Sequence, residues 1–208
     1  MLDYVKNILN VYKTAVNIEE RETRANIKFS QPPIVEGRNW YKDARKKAQE
    51  IADEHELPLH VVVGVIAALS PTNKWEKNVI DANTLIACFI EGGYVEDVKV
   101  STYNTMKMKA WSILNCMGDY EVIAKILNGP KITDFYRCIM GENVCVIDGH
   151  AWCIANNDRR VLQEVPNIGK GLRVELQQAY KKAAEKHGIK AYEMQAITWV
   201  AWKRIHNI

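Results

Sequence analysis

The chain has 208 residues, 48% hydrophobic and 25% charged, with a formal net charge of +3. That length suits one domain or two small lobes sharing a core, and no apolar run reaches the roughly 20 residues that a membrane span needs. The charge permits a nucleic-acid partner but does not demand one. The opening stretch MLDYVKNILNVYKTA carries Asp3 and lacks a small-residue cleavage pattern, so no signal peptide is expected. Cys88, Cys116, Cys138, Cys145 and Cys153 are odd in number and form no C-x-x-C pair. They read as buried free thiols in a reducing cytoplasm, not as disulfides or zinc ligands.

Most of the chain has helical period. LDYVKNILNVYKTAV places Leu2, Val5, Ile8, Leu9, Tyr12 and Val16 on one stripe. Two prolines and a glycine in FSQPPIVEGRNW predict a loop over residues 30–38. NWYKDARKKAQEIADEHEL follows as a helix, with Asn39 its candidate N-cap and Trp40, Ala44, Ala48, Ile51 and Ala52 inward. LHVVVGVIAALS is apolar all round, as befits a helix at the centre of a core, and Pro71 marks its end. NKWEKNVIDANTLIACFIEGG is stopped by Gly92 and Gly93. TYNTMKMKAWSILN, DYEVIAKILNG and KITDFYRCIMG are three shorter helices. NVCVI is the only β-like segment, and a lone strand has nothing to pair with. It reads as an extended, buried lead-in to the helix GHAWCIANND. KGLRVELQQAYKKAAEKHG and AYEMQAITWVAWKRIHN end the chain, with Trp199 and Trp202 expected in the core. The fold class expected is all-α, with nine or ten helices.

Four fragments could carry chemistry. ILNGPKITDFY (126–136) is helix, Gly-Pro turn, helix. Such a turn exposes backbone N–H groups that suit a phosphate, with Lys131 in reach, but an ordinary αα-hairpin gives the same pattern. In VIDGHAW, Asp148 is a helix cap or an acid at a site, and His150 alone is more often structural. ALSPTNKW ends the most buried helix in polar residues, where Asn73, Lys74 and Trp75 could meet a base or simply turn a corner. TYNTMKMKAW offers Tyr103, Asn104, Lys107 and Lys109 on a helix start or on a solvated basic face.

Taken in order, VVVGVIAALSPTNKWEKNVIDANTLIACF, TYNTMKMKAWSILN and LNGPKITDFYRCIMGENVCVIDGHAW resemble the helix-hairpin-helix base-excision DNA glycosylases of the endonuclease III type. Tyr103, Asn104 and Lys107 match that family's YN-x-x-K helix. Asn128, Gly129 and Lys131 stand where it has its glycine hairpin. Ile147, Asp148 and His150 match V-D-x-H, whose aspartate is catalytic. The resemblance covers about residues 55–160. The four-cysteine iron–sulfur motif of endonuclease III is absent, so no metal and no cofactor are expected. The chain is also similar to small proteins common in phage genomes that share the ALSP…W and QAITWVAW signatures. That similarity implies the cytoplasm of a bacterium or an infected host cell.

The resemblance implies a single domain over 1–208 made of two helical lobes, about 59–128 and about 1–58 plus 129–208, with a cleft between them and a helix-hairpin-helix. It implies a DNA-binding monomer, not bound to membranes, that flips a damaged or modified base out of the stack and hydrolyses its N-glycosidic bond. Asp148 would stabilise the sugar cation. Lys131 would form a Schiff base, giving AP-lyase activity, or hold a phosphate. Ser70, Asn73, Trp75, Tyr103, Asn104, His150 and Trp152 would border the base. Lys74, Lys107, Asn128, Gly129, Ile132 and Thr133 would contact DNA. Two rivals are a non-catalytic DNA-binding protein and a base or nucleotide hypermodification enzyme using the same pocket.

Overall fold

The computed structural model describes the backbone of residues 3–24 and 31–208, and side chains over 3–18 and 31–208. The fold is all-α. Among the described residues there are ten α-helices and no strand. In order they are α1 Tyr4–Arg24, α2 Pro33–Glu54, α3 Leu59–Leu69, α4 Trp75–Ile90, α5 Asn104–Cys116, α6 Tyr120–Leu127, α7 Pro130–Met140, α8 Gly149–Asn156, α9 Lys170–Glu185 and α10 Ala191–His206. Short 3-10 turns occupy Val95–Asp97 and Leu162–Glu164. No described helix is long and apolar enough to cross a membrane.

The chain divides into two compact units, residues 42–142 and residues 1–41 with 143–208. The first is built around α3, whose residues Val61 to Leu69 are all buried. Helices α4, α5, α6 and α7 pack against it. In the second, α1 packs on α8, α9 and α10, and α10 on α8 and α9. Its core holds Ile8, Tyr12, Ile154, Leu176, Tyr180, Met194 and Trp202. The expected stripe of α1 is therefore buried or partly buried at Val5, Ile8, Leu9, Tyr12 and Val16, while Leu2 lies outside the described residues.

Three expectations need correction. The contact unit is longer at both ends than the expected lobe over 59–128. Helix α7 buries Ile132, Tyr136 and Ile139 and packs on α3, so 129–142 go with that lobe, as do residues 42–54 of α2. Secondly, residues 33–38 are helical, and residue 30 lies outside the described part. Pro33 opens α2, where its missing N–H costs nothing because first-turn donors have no helical partner. Gly37 is there for space. A Cβ on it would lie 2.4 Å from Ile197 Cα and 2.5 Å from Ile197 N, so α2 and α10 touch backbone to backbone. Thirdly, not every residue expected inside is buried. Trp40 and Trp199 are half-buried, as is Cys88, and Cys116 is exposed at the end of α5. Lys203 Nζ sits 4.3 Å from the Trp199 ring centroid, an arrangement open to water on one side.

The Gly37 contact sets a paired prediction. Gly37→Ala drives a methyl into rigid backbone and should cost about 1–3 kcal/mol. Gly171→Ala, in α9 where a Cβ meets nothing within 4 Å, should be neutral or stabilise by a few tenths of a kcal/mol up to ~1 kcal/mol. Urea unfolding of the two variants checks both signs.

Candidate functional site

Residues 143–147 belong to no helix or strand, and Cys145, Val146 and Ile147 are buried. Their carbonyls cannot be left unpaired, and side chains supply the donors. Gln177 Nε2 donates to Cys145 O at 3.2 Å and Arg173 NH1 to Ile147 O at 2.8 Å. These two residues stand one turn apart on α9, four positions from each other, and so share a face. Asn143 Oδ1 accepts the Ala191 N–H that opens α10, at 2.8 Å. The segment thus ends in a fixed place, and the residue it delivers is Asp148.

Asp148 is the N-cap of α8. Its Oδ1 accepts the Ala151 N–H at 2.8 Å. The residue is half-buried, and among the described residues no donor engages its second oxygen. Ala151 passes the restraint inward, since the buried Tyr180 hydroxyl donates to Ala151 O at 3.3 Å. Burial pushes the Tyr180 phenol well above its usual range, so it stays a neutral donor. Burial likewise pushes the Cys153 thiol up, which leaves this neighbour protonated and unsuited to act as a nucleophile. His150 is half-buried in the first turn of α8. Trp152 is 7% exposed and belongs to the core. Its expected place beside a base is corrected, because α8 turns that face onto α1 and α10.

A second station lies in the unit 42–142. Asp81, on α4, is only 2% exposed. It accepts Ser101 N–H at 2.7 Å, Asn73 Nδ2 at 3.1 Å and Lys77 Nζ at 3.0 Å. Burial raises the Asp81 carboxyl, but the three donors outweigh that and leave it below the ordinary aspartate range. One carboxylate therefore ties the 70–74 corner to the 99–103 segment, and Thr102 Oγ1 adds a bond to Pro71 O at 2.6 Å. Of the expected base-bordering residues, this brings Ser70, Asn73 and Tyr103 onto linked segments, with Asn104 and Trp75 at the adjoining helix starts. Tyr103 and Asn104 are exposed, Trp75 half-buried, and Lys74 exposed. The Ser70 hydroxyl donates to Ala67 O at 2.9 Å and so serves the end of α3. Asp81 itself escaped sequence reasoning. Its signal was a carboxylate in register with the buried Asn78, Ala82 and Leu85 of α4.

The corner between α6 and α7 consists of Asn128, left-handed at φ 43°, and Gly129. Gly129 has no side-chain cap and Pro130 no N–H, so the N–H groups of Lys131 and Ile132 are the free donors there, Thr133 N–H being taken by Gly129 O. This narrows what Ile132 and Thr133 can present. The Ile132 side chain is buried, and neither residue can offer more than one group. Lys131 is exposed. Lys109 Nζ donates to Leu127 O at the end of α6, which puts a cation beside the turn. Lys107, expected to contact DNA, is instead buried at 9% exposure with Nζ on Val98 O at 2.8 Å. Its ammonium is spent on a backbone carbonyl. A further uncapped helix start was passed over. Gly169 precedes α9 without a side-chain cap, and Cβ atoms at Gly169 or Gly171 would meet nothing within 4 Å. The signal was the spacing of Pro166, Gly169 and Gly171 in VPNIGKG.

Asp148, His150 and Trp152 thus belong to one unit, and the remaining candidates to the other. Among the described residues no group of three or more His, Cys, Asp or Glu side chains could hold a metal ion. The chain belongs to a family of unknown function, DUF7178, whose model matches residues 2–206. No curated protein and no solved structure matches it.

The three donors on Asp81 give a pH-dependent prediction. A carboxyl held below its unfolded value stabilises the fold fully above that value, near 3.9, and loses the contribution as pH falls through the folded one. Asp81→Asn should therefore cost about 2–3 kcal/mol at pH 7, and the gap from wild type should close below about pH 3.9. Urea titrations across pH 2.5–7 read it; a gap independent of pH refutes it.

Proposed function

We infer that this DUF7178 protein binds DNA and excises a base, with Asp148 as the carboxylate that stabilises the cationic sugar. The observation that carries the reading is the state of Asp148. It is fixed by one capping hydrogen bond, delivered by a buried segment, and left, among the described residues, with a free oxygen at a half-buried position. An oxocarbenium-like centre needs a negative group held in place before the reaction rather than recruited during it. Asp81 has the charge, but donors engage both of its oxygens and burial closes it off.

The rest of the reading assigns binding. The Lys131 and Ile132 N–H groups, with Lys131 and Lys109 nearby, suit a backbone phosphate. Gly169 and Gly171 open a second helix start of the same kind in the unit that holds Asp148. Tyr103, Asn104 and Lys74 are exposed on the segments that Asp81 ties down and suit an unstacked base or its flanking nucleotides. Schiff-base chemistry needs an amine that is desolvated or flanked by cations. Lys131 stands in solvent, which favours the phosphate contact and a monofunctional enzyme.

The test is incubation with duplexes carrying normal, damaged and modified bases, followed by alkaline cleavage. Asp148→Asn keeps a capping side chain but removes the charge. It should lower base release by about a hundredfold or more, equivalent to ~3 kcal/mol, with DNA affinity unchanged or tighter. Binding without base release on every substrate points to the non-catalytic reading, and a mass change in the base without release to hypermodification. Gly129→Glu should weaken DNA binding, and the wild-type affinity should fall steeply with salt. Borohydride should trap no adduct with abasic DNA; an adduct lost in Lys131→Gln restores the lyase.

A further inference from the structure

We propose that the crossing of α3 and α4 binds a monovalent metal cation, sodium or potassium, between the side-chain oxygens of Asn73 and Asn78. The site lies within the unit 42–142 and stands independently of base excision.

Asn73 Oδ1 and Asn78 Oδ1 are buried and have no donor among the described residues. Asn78 is only 2% exposed. Buried acceptors of this kind call for an ordered water or an ion. Neither amide can turn over to cure the fault, because both nitrogens are committed. Asn78 Nδ2 donates to Ile66 O at 3.1 Å. Asn73 Nδ2 donates to Asp81 Oδ2 at 3.1 Å and to Leu69 O at 3.4 Å. A flip would set an amide oxygen against those carbonyls and the carboxylate.

The same bonds bring the two oxygens together. Ile66 and Leu69 stand one turn apart on α3, and Asn78 and Asp81 one turn apart on α4, so each pair shares a face. The two amides therefore span one crossing at successive turns, about 4.5 Å apart along the helix axis. One ion can bridge oxygens so spaced.

The surroundings select its charge. Ile66 and Leu69 lie in the last turn of α3, the negative end of the helix dipole, and the Asp81 carboxylate adjoins Asn73. That field favours a cation over a neutral water. The Asp81 charge is already matched by Lys77 Nζ at 3.0 Å, so a divalent ion would bring two uncompensated charges into a desolvated place. Neutral amide and carbonyl oxygens suit a hard alkali cation, and they lie outside the His, Cys, Asp and Glu groups that hold transition metals. Asn73 is half-buried on the 70–74 corner and gives the way in.

Thermal unfolding in sodium, potassium and choline chlorides of equal ionic strength tests the site. One metal salt should raise Tm over choline by about 3–6 °C at tenfold its half-saturating concentration. Asn73→Ala and Asn78→Leu should lose that difference. Lys77→Gln, which removes a competing cation, should reach half-saturation at a severalfold lower concentration. The sodium NMR linewidth reads binding without unfolding. It should broaden with wild type, narrow on adding potassium, and stay narrow with Asn73→Ala, which carries the test alone should Asn78→Leu lose helix by circular dichroism. Equal Tm in all three salts with no broadening leaves an ordered water on the two oxygens and overturns the proposal. Stabilisation by calcium that neither monovalent ion reproduces overturns the choice of charge. An ion-specific effect kept in both asparagine variants puts the ion elsewhere and overturns the site.

Discussion

A buried segment outside any helix or strand is the constraint on which the Asp148 region depends. Residues 143–147 carry backbone groups into a core that has no sheet to receive them. A buried carbonyl left unpaired costs about 1–3 kcal/mol. The chain meets this with two polar side chains from one face of α9, Arg173 on Ile147 and Gln177 on Cys145. The solution is imperfect, because Arg173 Nε is itself buried without a partner among the described residues. It has a consequence for chemistry all the same. Asp148 follows a backbone tied down at Cys145 and Ile147, and its carboxylate is held there by the α8 cap.

The two carboxylates, Asp81 and Asp148, separate a structural role from a chemical one. Both are acids on or beside a helix, and neither residue type nor charge tells them apart. The number of donors does. Asp81 takes three and holds two segments together. Asp148 takes one and keeps an oxygen in hand. A buried carboxylate with both oxygens engaged has little left to give a transition state, whereas a fixed one with an oxygen to spare can. The same contrast separates Lys107 from Lys131. The first is buried on a carbonyl and the second stands in solvent.

The helices were legible because their apolar positions recur at three and four residues, and α3 because it is apolar all round. The buried lead-in was legible too, since NVCVI had no partner strand to become. What sequence alone concealed depends on what lies opposite. Pro33 and Gly37 signal a loop locally, yet the first suits a helix start and the second a close crossing with Ile197. Lys107 reads as part of a basic face until Val98 O is placed beside it. Trp152 reads as an aromatic near an acid until α8 turns it inward. Asp81 sits in the buried period of α4, where a pattern of apolar residues treats one acid as an interruption. The α7 boundary was misjudged because a Gly-Pro turn says that direction changes, but not which core receives the helix that follows.

The glycine in Asp-Gly-His has a cause of the same kind. Gly149 opens a helix in which any residue could adopt the backbone angles, so its conformational freedom is not required there. Space is required, for Leu162 Cδ2 occupies the place of the missing side chain. A residue with a Cβ at 149 would push the end of the Leu162 side chain aside. The acid, the glycine and Leu162 are therefore one arrangement. Asp148 is held from behind by α9 and from within by Ala151, and Leu162 lies over the residue that follows it.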